Sequence, residues 1–123
     1  MRKLLLIAAA AIALTMPRVV SAHHGWGGYL DAEFEISGTV TTPVSLAGPH
    51  ATMKIMGVDG HEWLLTLAPP PRTSAAGLKD GMLTVGTKIT AHGHRSRDNN
   101  KYEVKTERVT VDGKTYNVYP DRT

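Results

Sequence analysis

Apolar and polar residues alternate with a period of two along much of the chain. Phe34, Ile36, Gly38 and Val40 fall on one face, with Glu35, Ser37 and Thr39 on the other. Met53 and Ile55 alternate with Thr52 and Lys54. Trp63, Leu65 and Leu67 alternate with Glu62 and Thr66, interrupted by Leu64. Ile89, Ala91 and Gly93 alternate with Lys88, Thr90, His92 and His94. This period predicts strands with one buried face. The phase then slips, since Tyr102 and Val104 are even while Val109 and Val111 are odd. A bulge near Thr106–Arg108 accounts for the slip.

Turn signals divide these runs. Asp59-Gly60 and Asp112-Gly113 each predict a tight hairpin with positive φ at both residues, and Asp98-Asn99-Asn100 a slightly longer turn. Pro69-Pro70-Pro71 ends the third strand, and Thr73 or Ser74 is the expected cap of a short helical turn through Leu78. The predicted order is three strands, one short helix, then two or three strands. That is an all-β fold with one short helix, a small OB-like barrel of five or six strands. A two-sheet sandwich is the alternative.

The first 22 residues read differently. Arg2 and Lys3 precede an apolar run from Leu4 to Met16, Pro17 breaks it, and Val20-Ser21-Ala22 ends in small residues. This is the secretory pattern. The run is shorter than the ~20 residues that span a bilayer, so the chain is expected to keep no stable membrane anchor after cleavage. The predicted organisation is a signal peptide over 1–22, an N-terminal segment over 23–33, and one barrel domain over 34–119, periplasmic or secreted. Cleavage changes the charge argument. The whole chain carries a formal +3, but the signal holds Arg2, Lys3 and Arg18 and no acid, which leaves 11 Lys+Arg against 11 Asp+Glu. A neutral, exported domain with few aromatic residues disfavours nucleic acid as a partner. The chain has no Cys, hence no disulfide staple and no thiolate for catalysis or soft-metal binding.

All six His lie beyond the signal. Cleavage after Ala22 would place a free α-amine on His23. Amine, ring Nδ1 and a second imidazole from His24 or His50 would form a T-shaped nitrogen set that suits Cu(II). A cut one residue earlier puts His24 third, which also makes a square-planar Cu(II) or Ni(II) site. His92 and His94 form a His-x-His pair on the polar face of one strand, at ligand spacing. Met53, Met56, His61 and Trp63 lie across one hairpin and offer a soft Cu(I) alternative, although Met is more often core filler. No nucleophile elbow, phosphate loop or H-E-x-x-H motif is present, so an enzyme is the less expected reading.

Several short motifs occur together: Ala22-His23-His24-Gly25-Trp26, Ile36-Ser37-Gly38-Thr39-Val40, Pro49-His50-Ala51, Leu67-Ala68-Pro69-Pro70, Ser96-Arg97-Asp98 and Arg108-Val109-Thr110-Val111-Asp112-Gly113-Lys114. In order and spacing the chain resembles the DUF6152 family of small exported bacterial proteins. The resemblance covers nearly the whole mature chain. It implies export and a single domain and supplies no activity. The family usually has an aromatic residue and an Asn before Pro-His, where this chain has Ser45-Leu46-Ala47-Gly48. A fainter likeness to periplasmic OB-fold proteins rests on strand order alone. Two functions follow as expectations: a periplasmic module capturing copper or another divalent ion, or a metal-free module that uses the barrel face near His92 and His94 for a small molecule or a protein partner.

Overall fold

The computed structural model describes residues 25–122; residues 1–22, expected to be a signal peptide, and His23, His24 and Thr123 lie outside the described residues. Six strands form one sheet: β1 (Phe34–Ser45), β2 (Thr52–Gly57), β3 (Glu62–Thr66), β4 (Lys88–Arg95), β5 (Glu103–Val111) and β6 (Lys114–Asn117). Their order is β3-β2-β1-β4-β5-β6, and β3 also pairs with β5. That last pairing is parallel, Leu64 to Glu103 through Thr66 to Lys105, and it closes five strands into a mixed barrel with β6 outside the ring. Closure of a single sheet excludes the sandwich.

The expected alternation fills the barrel. Ile36, Val40, Met53, Ile55, Trp63, Leu65, Ile89, Ala91, Val104 and Val109 are all buried. Strand β1 serves two neighbours, β2 and β4, and two register shifts against β2 bend it around the ring. The bulge is present at the expected place. His92 pairs with Arg108 and Gly93 with Thr106, so Glu107 is the extra residue in β5. A Cβ at Gly93 would collide with the Lys105 carbonyl oxygen. Gly93→Ala is therefore expected to cost ~1–3 kcal/mol by forcing β4 from β5, read as a lower urea midpoint. A variant within 0.5 kcal/mol of the parent would show that the strands can yield there.

Three local expectations need correction. Asp112-Gly113 is a two-residue turn with φ of 50° and 79°, but the Asp59-Gly60 connection runs over four residues, 58–61, and only Gly60 has positive φ. There the Asp59 carboxylate accepts the Trp63 indole N–H at 3.0 Å and the His61 backbone N–H at 3.1 Å, which fixes a wider loop. The proline run opens the helix α1 (Pro70–Ala75) and does not merely precede it. First-turn N–H groups have no helical partner, so proline is tolerated there. Thr73 is not the cap; it is buried, and its hydroxyl donates to the Ala68 carbonyl at 2.8 Å. Finally, the outer face of β4–β5 is not open. Residues 25–33 run across it as a strap, tied by the Leu30 N–H to the Arg95 carbonyl (2.8 Å), the Arg97 N–H to the Gly28 carbonyl (2.9 Å) and a Tyr29–Ser96 bridge. Lys105 and Glu107 are thereby buried opposite the hydrophobic core.

Candidate metal centre

Strand alternation places His92 and His94 on the outer face of β4, but the strap gives them different surroundings. His94 is 6% exposed, so the expectation of two imidazoles on a solvated face fails for it. Its Nδ1 lies 2.9 Å from the Leu30 carbonyl oxygen and 3.1 Å from that of Ala32. Carbonyl oxygen only accepts, so Nδ1 carries a proton and Nε2 is the free coordinating position. Nε2 stands 2.9 Å from Glu107 Oε2 and 3.8 Å from Glu33 Oε2. His92 Nε2 contacts the other oxygen of the same Glu33 carboxylate. One strap residue thus bridges the two histidines.

Glu107 reaches this position because it is the bulged residue of β5. It is 1% exposed. Oε2 stands 2.9 Å from His94 Nε2 and accepts, at 3.3 Å, from Arg122 Nε. Oε1 is buried with no hydrogen-bond partner; the Arg108 guanidinium stands 3.9 Å away. A buried carboxylate oxygen left unpaired is costly. Two lone pairs, on Nε2 and Oε2, face each other at 2.9 Å, and that approach requires a cation between them, either a proton or a metal ion. The ligand atoms of Glu33, His94 and Glu107 all lie within 4.8 Å of one another. Oxygen and nitrogen atoms sharing one tetrahedral ion stand roughly 3.3 Å apart, so small side-chain shifts would bring them onto it. His92 is then the outer partner that orients Glu33.

The other sequence candidates separate from this cluster. His50 stands at the head of β2, in a groove it shares with Gly25, Trp26, Arg72, Lys105 and Arg122. Its Nε2 is 3.1 Å from Lys105 Nζ. Burial, and next the Lys105 charge, push His50 below its ordinary range. A groove with three cationic side chains is a poor place for another cation. His61 is exposed and stacks on Tyr102 with ring centroids 4.0 Å apart. The soft hairpin site dissolves as well, since Met53 is buried in the core and Met56 is exposed on the opposite face of β2. His23 and His24 lie outside the described residues.

Glu33, Glu107 and Lys105 were not singled out from the sequence as site residues. Glu107 had a usable signal, for it sits at the centre of the phase slip. The others act through the strap, which the alternation does not reveal. Trp26 packs edge-on against His94 at 5.7 Å and Tyr119 at 5.1 Å, while the Arg122 guanidinium covers it at 3.9 Å. No protein-family model matches the chain, and no curated protein matches it.

Proposed function

We propose that the chain is an exported β-barrel binding module, of the DUF6152 type, that captures one divalent metal ion between its N-terminal strap and the β4–β5 face. The supporting observation is the juxtaposition of the His94 imidazole with the Glu33 and Glu107 carboxylates, where Glu107 Oε1 is buried without a hydrogen-bond partner. One imidazole and two carboxylates suit a borderline first-row ion such as Zn(II), Mn(II) or Fe(II). Because the set lies beneath the strap, holding the metal also holds residues 25–33 to the barrel. The role is capture or delivery, with no catalytic step.

Copper belongs to a second reading, the nitrogen set at a processed N-terminus. Gly25, which follows His24 directly, lines the His50 groove. Consecutive Cα atoms are ~3.8 Å apart, so a terminal His23 amine would start within two residues of that groove. Lys105 opposes it, as it already occupies His50 Nε2.

The test uses exported protein whose intact mass corresponds to a chain starting at His23. After chelation, Zn(II), Mn(II) and Cu(II) are titrated separately by calorimetry. One-to-one binding that weakens on acidification is expected, because protons compete for the ligands. Glu107→Gln and His94→Gln should each lower Zn(II) affinity by at least ~10-fold, a ligand-level effect. Alanine at both His23 and His24 should leave Zn(II) unchanged and remove any copper site at the terminus. Absence of both Zn(II) and Mn(II) binding would reduce the cluster to a proton-bridged pair.

A further inference from the structure

We propose that the groove beside His50 binds a small organic carboxylate, a monoanion with a compact apolar body, between Arg72 and Arg122. The groove encloses about 540 Å³ and is walled by the strap, by α1 and by the segment after β6. Two guanidinium groups stand on its walls, and aromatic rings fix both. Arg122 lies 3.9 Å from the Trp26 ring centroid and Arg72 5.2 Å from that of Tyr119. The two rings meet edge-on at 5.1 Å. A guanidinium stacked in this way has given up much of its rotamer freedom before a ligand arrives, so binding costs less ordering entropy.

Donors on these walls outnumber the acceptors around them. Arg122 gives its Nε–H to Glu107, and neither of its terminal nitrogens makes a hydrogen bond among the described residues. The Arg72 side chain makes none among them either; its charged neighbour is Asp121, at 3.5 Å. Both guanidinium groups can be reached, for the Arg72 side chain is 49% exposed and that of Arg122 37%. His50 adds a further donor. Its Nε2 accepts from Lys105 at 3.1 Å, so the proton of the neutral ring sits on Nδ1, which has no partner among the described residues. Lys105 itself is 3% exposed and supplies charge from behind the wall, not a contact.

Charge and shape narrow the ligand. The three cations of the groove face two carboxylates, Asp121 on the wall and Glu107 behind Arg122. One positive charge is left over. It matches one carboxylate, whereas a phosphate dianion would exceed it. Planar guanidinium forks also fit the two oxygens of a carboxylate. Trp26, Pro69 and Tyr119 contribute apolar wall, so a ring or short hydrocarbon body gains burial that a bare ion does not. The metal cluster enters only through Glu107, which holds Arg122 in place.

The test uses mature, metal-free protein from which chelator has been dialysed away, because chelators are themselves polycarboxylates. Benzoate, acetate and inorganic phosphate are titrated by calorimetry in a buffer free of both carboxylate and phosphate. Benzoate is expected to bind one-to-one with a Kd below ~1 mM, acetate at least ~10-fold more weakly for want of an apolar body, and phosphate no more tightly than acetate. Arg72→Gln should weaken benzoate ~10-fold, the loss of a charge-assisted hydrogen bond. Asp121→Asn removes the acid on the wall and should tighten benzoate ~2–5-fold, a gain that a damaged fold would not produce. Both variants should keep the circular dichroism spectrum of the parent. Benzoate that fails to saturate the protein with a Kd below ~1 mM would overturn the proposal. Affinity left unchanged by Arg72→Gln would overturn the placement, and phosphate binding more tightly than benzoate would overturn the ligand class.

Discussion

Truncating Trp63 to alanine is expected to destabilise the barrel by about 3–5 kcal/mol, the usual range for deleting a buried large aromatic side chain. Trp63 is 2% exposed and is the second residue of β3. Phe34 tilts against it at 5.2 Å, Tyr102 meets it edge-on at 5.2 Å, and the Arg95 guanidinium lies 5.0 Å from its ring. The truncation also strips Asp59 of the indole N–H that both its oxygens accept. Desolvation pulls the Asp59 carboxyl upward, but that indole N–H and the His61 backbone N–H outweigh it and hold the group below its ordinary range. A depressed carboxyl contributes stability that is present above its unfolded pKa and lost as pH falls through the folded one. Urea unfolding of mature Trp63→Ala should show a lower midpoint, and a smaller acid-induced loss than the parent. A cost under 1 kcal/mol would mean that Trp63 does not organise the core.

His94→Ala should be comparably severe, about 3–5 kcal/mol, measured in chelator so that metal release does not enter. The cause differs. The deletion leaves Glu107, 1% exposed, with Arg122 as its one hydrogen-bonded partner, and it deprives the Leu30 and Ala32 carbonyls of their shared donor. Removing both charges is less damaging than orphaning one. The double variant His94→Leu/Glu107→Leu is therefore expected to be more stable than His94→Ala. The reverse order would show that the pair contributes net stability and is not merely a polar group whose partner must be kept.

These two residues mark how far the sequence can be read. Trp63 was legible because alternation with Leu65 and Leu67 is a local property of one strand, and so were the bulge at Glu107 and the Asp112-Gly113 turn. The order of strands and helix was sufficient to indicate a barrel. His94 was legible as a metal-ligand type but assigned to solvent, because its burial comes from a strap sixty residues upstream. The pairing of Tyr29 with Ser96, and of Glu33 with His92, depends on closure of the whole ring. Gly27 and Gly28 have no side chain to pack, yet their carbonyl oxygens accept from Arg97. Backbone acceptors carry no signature of residue type. Lys105 was hidden for a related reason: it stands in a strand of interleaved acids and bases, between Glu103 and Glu107.

The parallel β3–β5 seam has a consequence in time. Thr66 donates to Glu103, 37 positions further along the chain. Contacts at such separation form slowly, because loop closure must precede any gain from them. A chain that emerges N-terminus first can assemble the β1–β2–β3 meander early, but β3 then presents an unpaired edge until β5 has followed. An open edge of this kind invites pairing with other chains. If the chain is exported unfolded, as the proposed function supposes, the same delay is useful: no closed barrel can block passage until the segment after Asn100 has been released, and the strap carrying Trp26 and Tyr29 has no finished face to settle on before then.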